Sequence, residues 1–380
     1  MKSSSLNPFP VSGYQGPEYF CDRETEIKTL TNALLGNRNI TLMSLRRVGK
    51  TALIHHLFHE LSAQKKWVFL YADLMSTANL SEFAARLTTA LAQTYPDTTP
   101  LGKKVWSWIK SIRPQISFDP YTGLPQISFD TVRVHEQQTT LHQLFKLLED
   151  SGKKTVLALD EFQQITQYPE QQTEAWLRSE IQNIKSVNFI FCGSQQQLLG
   201  EMFNSVKRPF YASTQMLTLS LLEKGAYHRF IAMHMEKDAH TIKKEAIDFI
   251  LEWSRQHTYY VQILCNRLFM REEKHITRES INSEIEMIFK EQEAVFFTFR
   301  ELLTSPQWSL LGAIAKEGRI YTPTSRNFIH TYNLGTPATV KRSLESLLGK
   351  EMIFRQFDPK GRSFYQVYDV FLSRWMEYKH

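Results

Sequence analysis

Residues 39–51 have the sequence Asn-Ile-Thr-Leu-Met-Ser-Leu-Arg-Arg-Val-Gly-Lys-Thr. The apolar run from Ile40 to Met43 is short and continuous, which is typical of a buried strand. A helical pattern of apolar residues begins at Leu53 and continues to Leu61. The stretch therefore predicts a strand, a tight loop and a helix, the arrangement of a phosphate-binding loop.

The end of this loop carries the residue types that bind a nucleotide. Gly49 allows backbone N–H groups to close around phosphate oxygens, and the N-terminus of the next helix adds its positive dipole end. We expect Lys50 to contact the β- and γ-phosphates and the Thr51 hydroxyl to hold Mg²⁺. The motif usually begins with glycine, whereas this chain has Ser44. The residues predicted to surround the nucleotide are Ser44, Arg46, Arg47, Val48, Gly49, Lys50, Thr51 and Ala52.

Gly-Lys-Thr can occur at a helix start by chance, so a second motif is needed. The run Thr155-Val-Leu-Ala-Leu is followed by Asp160 and Glu161, at the strand end where open α/β sheets bind ligands. Asp160 is expected to hold Mg²⁺, directly or through water, and Glu161 to act as general base on the attacking water. An acidic pair alone could mark a helix N-terminus. Together the two motifs predict binding of ATP or ADP with Mg²⁺.

With 42% hydrophobic and 22% charged side chains, the composition is that of a globular protein. A chain of 380 residues is too long for one small core, so two or three domains are expected. The net charge of +6 permits a polyanionic partner without requiring one. Three cysteines, at positions 21, 192 and 265, show neither metal-site nor disulfide spacing. The N-terminus lacks the apolar core of a signal peptide, and no apolar run is long enough to span a bilayer. These features predict a soluble, cytoplasmic protein.

Three further apolar runs predict the rest of a parallel sheet: Trp67 to Ala72, Val187 to Cys192, and Met216 to Leu219. Residues 95–135 interrupt the alternation of strands and helices. Within them Gln-Ile-Ser-Phe-Asp occurs at 115–119 and again at 126–130, around a turn that contains glycine. This duplication predicts a β-hairpin insertion at about 112–133, to which no chemistry is assigned.

Ser194 follows the strand that ends at Cys192, and two interpretations of it are open. In P-loop ATPases a polar residue at this strand end commonly touches the γ-phosphate or orients the attacking water, and Ser194 and Gln195 are the candidates. Serine is also among the best residues for capping a helix N-terminus. The two roles are compatible.

The chain becomes helical from Leu222 to about residue 302, which suits an all-α lid over a nucleotide. Beyond it, three short helical patterns and a β-hairpin predict a winged helix. Its outward residue types are those that contact phosphates and bases in helix-turn-helix proteins. The alternative is an ordinary solvated basic face on a protein-interaction domain. The candidate contacts to double-stranded DNA are Arg326, Thr336, Thr339, Lys341, Arg342, Lys360 and Arg362.

With these residues assembled, the chain resembles the archaeal-type ATPases, a group within the signal-transduction ATPases with numerous domains and related to AAA+ proteins. The resemblance covers nearly the whole chain. Its marks are Tyr19-Phe20-Cys21-Asp22-Arg23-Glu24, Arg46-Arg47-Val48-Gly49-Lys50-Thr51, Leu159-Asp160-Glu161-Phe162-Gln163, Gly193-Ser194, Pro209-Phe210-Tyr211, Tyr259-Tyr260 and the terminal winged helix. It implies an α/β P-loop NTPase with an ASCE-type parallel sheet flanked by helices, an all-α lid and a C-terminal winged helix.

The resemblance also implies roles for residues outside the two motifs. Phe20 and Arg23 would frame the adenine, whereas Asp22 and its neighbours taken alone favour a capped surface helix. Tyr259 would contact the nucleotide from the lid. Relatives often carry Gly-Arg where this chain has Ala-Ser at 212–213, so Arg208 is the substitute candidate for the arginine that completes the site. This departure predicts slow or partner-dependent hydrolysis.

The predicted domains are a lead-in (1–18), an ATPase core (19–220), a helical lid (221–302) and a winged helix (303–380). The expected function is an ATP-dependent switch in which nucleotide sets the orientation of the winged helix. A DNA-binding regulator with a mainly structural nucleotide and a scaffold that senses a protein partner are the alternatives. Assembly into a homo-oligomer is possible in each case.

Overall fold

The computed structural model describes residues 7–64, 66–129 and 134–379. Residues 1–6 of the predicted lead-in and 130–133 of the predicted hairpin insertion therefore lie outside the described residues. The chain divides into two compact units. Ser12–Leu222 form one, here called the sheet unit, and Glu223–His380 with the start of the chain up to Val11 form the other, here called the helical unit.

The sheet unit is built on five parallel strands in the order β2-β5-β6-β1-β7. This confirms the predicted fold class. The strands of the unit are β1 (Ile40–Met43), β2 (Trp67–Asp73), β3 (Gln115–Phe118), β4 (Pro125–Ser128), β5 (Lys154–Asp160), β6 (Val187–Gly193) and β7 (Gln215–Thr218). β3 and β4 form a separate antiparallel hairpin.

The register of the sheet brings the carboxyl ends of its strands together at one edge. Asp73 at the end of β2 lies beside Asp160 at the end of β5, and Met43 of β1 lies beside Gly193 of β6. Apolar residues cover both faces of β5, whose residues from Thr155 onward are all buried, because helices pack on both sides of the sheet. The core thus fixes the strand ends on which the candidate site stands.

The sheet unit contains seven described α-helices: α1 (Glu24–Leu35), α2 (Lys50–Ser62), α3 (Leu80–Thr94), α4 (Pro100–Ser111), α5 (Val134–Glu149), α6 (Thr173–Asn183) and α7 (Gln196–Asn204). Short 3₁₀ segments occur at Pro17–Tyr19 and Phe162–Gln167. The interval before the hairpin contains α4, for which the sequence patterns gave no prediction. The expectation that Asp22 caps α1 was wrong, since Arg23 holds the N-cap position without a side-chain cap bond.

The helical unit holds the predicted lid helices and the winged helix together. Its helices are α8 (Lys224–Glu236), α9 (Lys244–Trp253), α10 (Thr258–Phe269), α11 (Arg278–Glu301), α12 (Ser305–Glu317), α13 (Arg326–Thr331), α14 (Pro337–Gly349) and α15 (Val370–Lys379). Its strands are β8 (Thr241–Ile242), β9 (His275–Ile276), β10 (Ile353–Phe357) and β11 (Ser363–Val367). The β8/β9 pair interrupts the segment expected to be wholly helical, whereas the β10/β11 hairpin was expected.

The unpredicted last helix joins the winged helix to the lid helices. Phe371 of α15 packs its ring against Tyr260 at 4.7 Å between ring centroids and against Trp253 at 5.7 Å. The Arg374 side chain donates to the backbone oxygen of Trp253 at 2.9 Å, near the end of α9. These contacts fix the winged helix on the lid helices within one packed body.

Residues 7–11 also pack into the helical unit. Phe9 is 1% exposed, and its ring lies against those of Phe230 and Phe269, each at 6.1 Å. The amide of Asn266 donates to the backbone oxygen of Phe9 at 2.8 Å. The predicted lead-in therefore contains a core residue of a unit that otherwise begins at Glu223.

No helix among the described residues combines the length and the low polarity that a bilayer crossing requires.

Candidate functional site

The loop after β1 places the start of α2 at the carboxyl edge of the sheet. Gly49 adopts a φ of 99°, which a residue with a Cβ rarely takes, and α2 begins at the next residue. Ser44, found where the motif usually has glycine, is fully buried, and its hydroxyl donates to the Leu45 carbonyl at 2.9 Å. A local hydrogen bond therefore satisfies the extra polar group, and the loop retains its position at the sheet edge.

Lys50 lies between the two acids of the second motif. Its Nζ is 2.7 Å from Asp160 Oδ1 and 3.0 Å from Glu161 Oε1. The Thr51 hydroxyl donates to the other oxygen of Asp160, Oδ2, at 2.9 Å. Residues separated by about a hundred positions in sequence thus form one cluster, which we call the Lys50 cluster: Lys50, Thr51, Asp160 and Glu161.

The charges of the Lys50 cluster stabilise one another against burial. Burial alone would lower the pKa of Lys50, but the attraction of Asp160 and Glu161 outweighs it and raises that pKa. For both carboxyl groups burial would raise the pKa, yet the Lys50 ammonium and the hydrogen bonds they accept bring it below the ordinary value. The cluster consequently holds one cation and two anions with low solvent access near neutral pH.

Glu161 is oriented from its other side by two polar neighbours. The Gln163 amide donates to Glu161 Oε2 at 2.6 Å, and the Ser194 hydroxyl donates to the same oxygen at 2.9 Å. The Ser194 backbone N–H adds a third bond at 3.2 Å. The interpretation of Ser194 as a helix cap was wrong, because α7 has Gln195 at its N-cap position and the Ser194 side chain serves Glu161 instead.

The sequence patterns did not single out Tyr71, although it contacts the Lys50 cluster. Its hydroxyl donates to Asp160 Oδ2 at 2.8 Å, beside the Thr51 bond. The His55 ring lies 4.9 Å from the Tyr71 ring, and burial lowers the pKa of His55, so the neutral form is favoured there. The period-two alternation of β2 carried a usable signal, since Phe69 and Tyr71 share the strand face that packs towards α2.

The other candidates in the sheet unit differ in their surroundings. The Arg46 Nε donates to the Ser194 hydroxyl at 3.3 Å, which places Arg46 beside the cluster. Arg47 is exposed with a φ of 61°, and Val48 is 2% exposed in the apolar core. Arg208 pairs with Glu174 of α6 at 2.8 Å rather than with the Lys50 cluster. Ala52 follows Thr51 in the first turn of α2.

The residues proposed for adenine divide between the two units. The Phe20 ring stacks on that of His56 at 4.1 Å, and the Tyr14 hydroxyl bonds His56 Nδ1 at 2.8 Å. Arg23 is 5% exposed, and its guanidinium donates to Glu26 at 2.7 Å. Tyr259 belongs to the helical unit. Its contact with a nucleotide stays a prediction.

The donor set fits a nucleotide with a divalent cation. A Cβ built on Gly49 would meet nothing within 4 Å, so the loop leaves open space in front of the α2 N-terminus. Lys50 brings a cation to that space, as phosphate requires. The Thr51 hydroxyl and the Asp160 carboxylate supply hard oxygen ligands of the kind Mg²⁺ prefers. Across the described part of the chain, no group of three or more His, Cys, Asp or Glu is arranged for a metal ion.

The DNA-contact candidates lie mostly on the surface of the winged helix. All of them except the half-buried Thr339 are exposed. The Thr336 hydroxyl caps α14 by accepting from the Thr339 backbone N–H at 3.2 Å. Arg362 pairs with Asp358 at 2.8 Å and lies over the Tyr321 ring at 4.7 Å, so it also stabilises the wing turn.

Comparison with known proteins gives the family. Residues 20–256 match the family described as an ATPase domain predominantly from Archaea. The chain belongs to this family. Residues 294–378 match a probable winged helix domain. The resemblance to archaeal-type ATPases with a C-terminal winged helix is thereby confirmed.

Solved structures resemble the chain over nearly its full length. The Walker-type ATPase of Pyrococcus abyssi matches with a TM-score of 0.65 at 16% identity, covering 97% of this chain and 99% of its own. The ORC2 protein of Aeropyrum pernix, in ADPNP–ADP complexes, matches at 0.60 and 14%, covering 98% of each chain. Aeropyrum pernix ORC1 in complex with DNA matches at 0.51 and 12%, covering 96% and 95%. These likenesses establish the fold. No curated protein sequence gives a significant match.

Proposed function

We propose that the protein is an ATP-binding, Mg²⁺-dependent ATPase that acts as a nucleotide-controlled switch and positions its winged helix. The observation that carries the proposal is the Lys50 cluster. It brings a buried lysine, a hydroxyl and two carboxylates together at a helix N-terminus. The ATPase family of residues 20–256 supports the same chemistry.

In this proposal each residue has a separate task. Lys50 has three ammonium donors, of which Asp160 and Glu161 take two, so one remains for a phosphate oxygen. Bound Mg²⁺, held by Thr51 and Asp160, would neutralise phosphate charge. Glu161 Oε2 already accepts three bonds from Gln163 and Ser194, whereas Oε1 accepts from Lys50, so Oε1 is the oxygen with room to receive the proton of the attacking water.

The switch role draws on the packing of the helical unit. Because α15 packs its Phe371 ring against Trp253 and Tyr260, the lid helices and the winged helix move as one body in this proposal. A change at the nucleotide site that shifts the lid would then reorient the winged helix with it.

Two variants test the ATPase proposal. Lys50→Ala should abolish binding of a fluorescent ATP analogue, because the phosphate charge loses its only cation within the cluster. Glu161→Gln should bind ATP with Mg²⁺ but lose turnover. Lys154→Ala serves as the matched control, since Lys154 is an exposed lysine at the opposite end of β5. Unchanged ATP affinity in Lys50→Ala refutes the assignment.

A second candidate function is DNA binding in which the nucleotide is mainly structural. Lys341 and Arg342 are exposed side by side on α14, the helix that a winged helix presents to DNA. Neutralising both should weaken binding to duplex DNA. It should also reduce the slope of log affinity against log salt concentration by about two, since two fewer phosphates are neutralised. Lys316→Ala, at an exposed lysine of α12, is the control. Absence of duplex binding at low salt excludes this function.

A further inference from the structure

The β3/β4 hairpin has one covered edge and one open edge. The Ile127 backbone N–H, which points away from β3, donates to the Thr89 hydroxyl of α3 at 3.0 Å. On the other side, the Asp119 N–H donates to the Leu124 carbonyl at 2.9 Å, so the alternation of the ladder turns the N–H and C=O groups of Ile116 and Phe118 outward. Among the residues that the structure describes, no hydrogen-bond partner meets these outward groups.

The open edge is also apolar and lacks the features that usually protect an edge. Phe118 is 63% exposed and Ile116 is 38% exposed. Ile116 lies opposite Ile127, which is buried in the core, so the apolar face of the hairpin extends past α3 into solvent. β3 contains no lysine, proline or bulge, the devices by which natural edge strands avoid pairing.

The sequence of the hairpin points to what pairs with this edge. The five residues 115–119 are repeated at 126–130, and the strands formed by the two copies already pair antiparallel, in a register centred on the isoleucine of each copy. At the open edge the outward groups belong to Ile116 and Phe118, so the register there is centred on Ser117 instead. The segment is therefore complementary to itself in the antiparallel sense. A second copy of the chain supplies the same strand with the same open edge, and a twofold axis makes the two edges equivalent.

We infer that β3 is the edge through which two copies of the chain associate. The paired strands are centred on Ser117, and Ile116 lies opposite Phe118 of the second copy. In this register the four outward N–H groups of the two strands all find acceptors, and Pro114 and Pro120 bound the pairing at its ends. The hairpins then form one four-stranded antiparallel sheet, in which the second copy covers the exposed Phe118 ring.

The small size of the paired edge determines the expected affinity of the dimer. Four residues a side bury far less than the roughly 1,200 Å² of a standard stable interface, so the dimer is weak and depends on concentration. Its dissociation constant is expected between about 10 μM and about 1 mM. Sedimentation equilibrium over that range should show a monomer–dimer equilibrium for the full-length protein.

Two substitutions and one control distinguish specific pairing through β3 from non-specific association. Phe118→Lys should leave the protein monomeric, because it places a charge opposite an apolar residue. Ile116→Pro should do the same by removing an outward N–H that the hairpin itself does not use. Tyr121→Lys, which removes the 96%-exposed aromatic at the hairpin tip, should dimerise like the wild type. A strictly monomeric wild type, or equal association of all variants, overturns the proposal.

A cysteine placed on the axis tests the register. In Ser117→Cys the two thiols face each other across a non-hydrogen-bonded pair, within the Cα separation that a disulfide accepts. Mild air oxidation should yield a covalent dimer of this variant, and none of Tyr121→Cys or of the wild type with its three free cysteines. Equal cross-linking of Ser117→Cys and Tyr121→Cys would contradict the Ser117-centred pairing.

Discussion

The Tyr71 hydroxyl donates a hydrogen bond to Asp160 at 2.8 Å, across neighbouring strands of the sheet. The bond reaches Oδ2, the same oxygen that accepts from the Thr51 hydroxyl at 2.9 Å. Asp160 Oδ1 is left to Lys50 and to the Glu161 backbone N–H. Each oxygen of the carboxylate therefore has its own pair of donors, which fixes the plane of the group before any cation is bound.

Tyr71→Phe should weaken Mg²⁺-dependent ATP binding by about tenfold or more, because outer partners of a cation ligand typically contribute that much. The ring remains, so the substitution creates no cavity. Isothermal titration with and without Mg²⁺ measures the effect. Tyr168→Phe is a matched control, since it removes a buried hydroxyl bonded to Thr77 at 2.6 Å and should not alter the Mg²⁺ requirement. Equal Mg²⁺ dependence in Tyr71→Phe and the wild type would contradict the prediction.

Lys50→Met should reverse the local pH dependence of stability. In the wild type the pKa values of Asp160 and Glu161 are lowered, so their stabilisation is present above the ordinary values of 3.8 and 4.5 and is lost as pH falls through the folded-state values. Without Lys50, burial raises both pKa values, and protonation then relieves the burial of charge. The variant should gain stability, relative to wild type, between about pH 7 and about pH 5.

Urea unfolding of Lys50→Met and of wild type across that range measures the difference. Lys154→Met is the control, because its lysine is exposed and lies away from the two acids. If the free energy of unfolding changed with pH in the same way in Lys50→Met and wild type, the pKa values of Asp160 and Glu161 would not depend on Lys50.

Gly193→Ala should slow turnover while ATP binding is retained. A Cβ at Gly193 would overlap Oε1 of Gln163, the far end of a flexible side chain, so the Gln163 amide moves and its bond to Glu161 is lost. Gln163→Ala should slow turnover similarly, and the double variant should be no slower, since both changes remove one interaction. Gly200→Ala is the control, because its Cβ meets only Met43 at an ordinary 3.9 Å. If the two substitutions lowered turnover additively, they would not both act through the hydrogen bond between Gln163 and Glu161.

Arg208→Ala tests the predicted slow hydrolysis. Arg208 pairs with Glu174, whose pKa is raised by burial against the pull of that arginine. We expect low basal turnover in the purified protein, because Arg208 is held by Glu174 and not by the Lys50 cluster. If Arg208 leaves Glu174 to contact the bound nucleotide during turnover, Arg208→Ala should lower turnover further at unchanged ATP affinity. Arg178→Ala, at another half-buried arginine of the same region, is the control. Brisk turnover from purified monomer that Arg208→Ala leaves untouched would exclude the hypothesis.

The parallel sheet could be predicted because each strand is built on a short apolar run. Lys50, Asp160 and Glu161 came from the same reasoning, since motif residues at strand ends meet at one edge of a sheet. Tyr71 lies two residues before its strand ends, and the alternation of β2 gives the face of its side chain but not its partner. Its contact depends on the register of β2 against β5, which only the folded sheet provides.

The helical unit shows a second limit of sequence patterns. α15 follows the wing directly and has a weakly segregated apolar face, so its periodicity does not separate it from the preceding strand. Phe9 lies between two prolines in a stretch that reads as a loop. Its burial depends on a pocket formed by Phe230 and Phe269, more than two hundred residues away in sequence.

The placement of Phe9 affects where the chain can be divided. A cut at the Leu222–Glu223 connection would not free two self-sufficient fragments, because the first fragment carries a core side chain of the second. A fragment beginning at Glu223 would keep the cavity of a missing phenylalanine, a loss of about 3–5 kcal/mol by comparison with Phe→Ala changes. After such a cut, the two pieces would remain associated as a non-covalent complex, because the helical unit would bind residues 7–11 as a receptor binds a peptide.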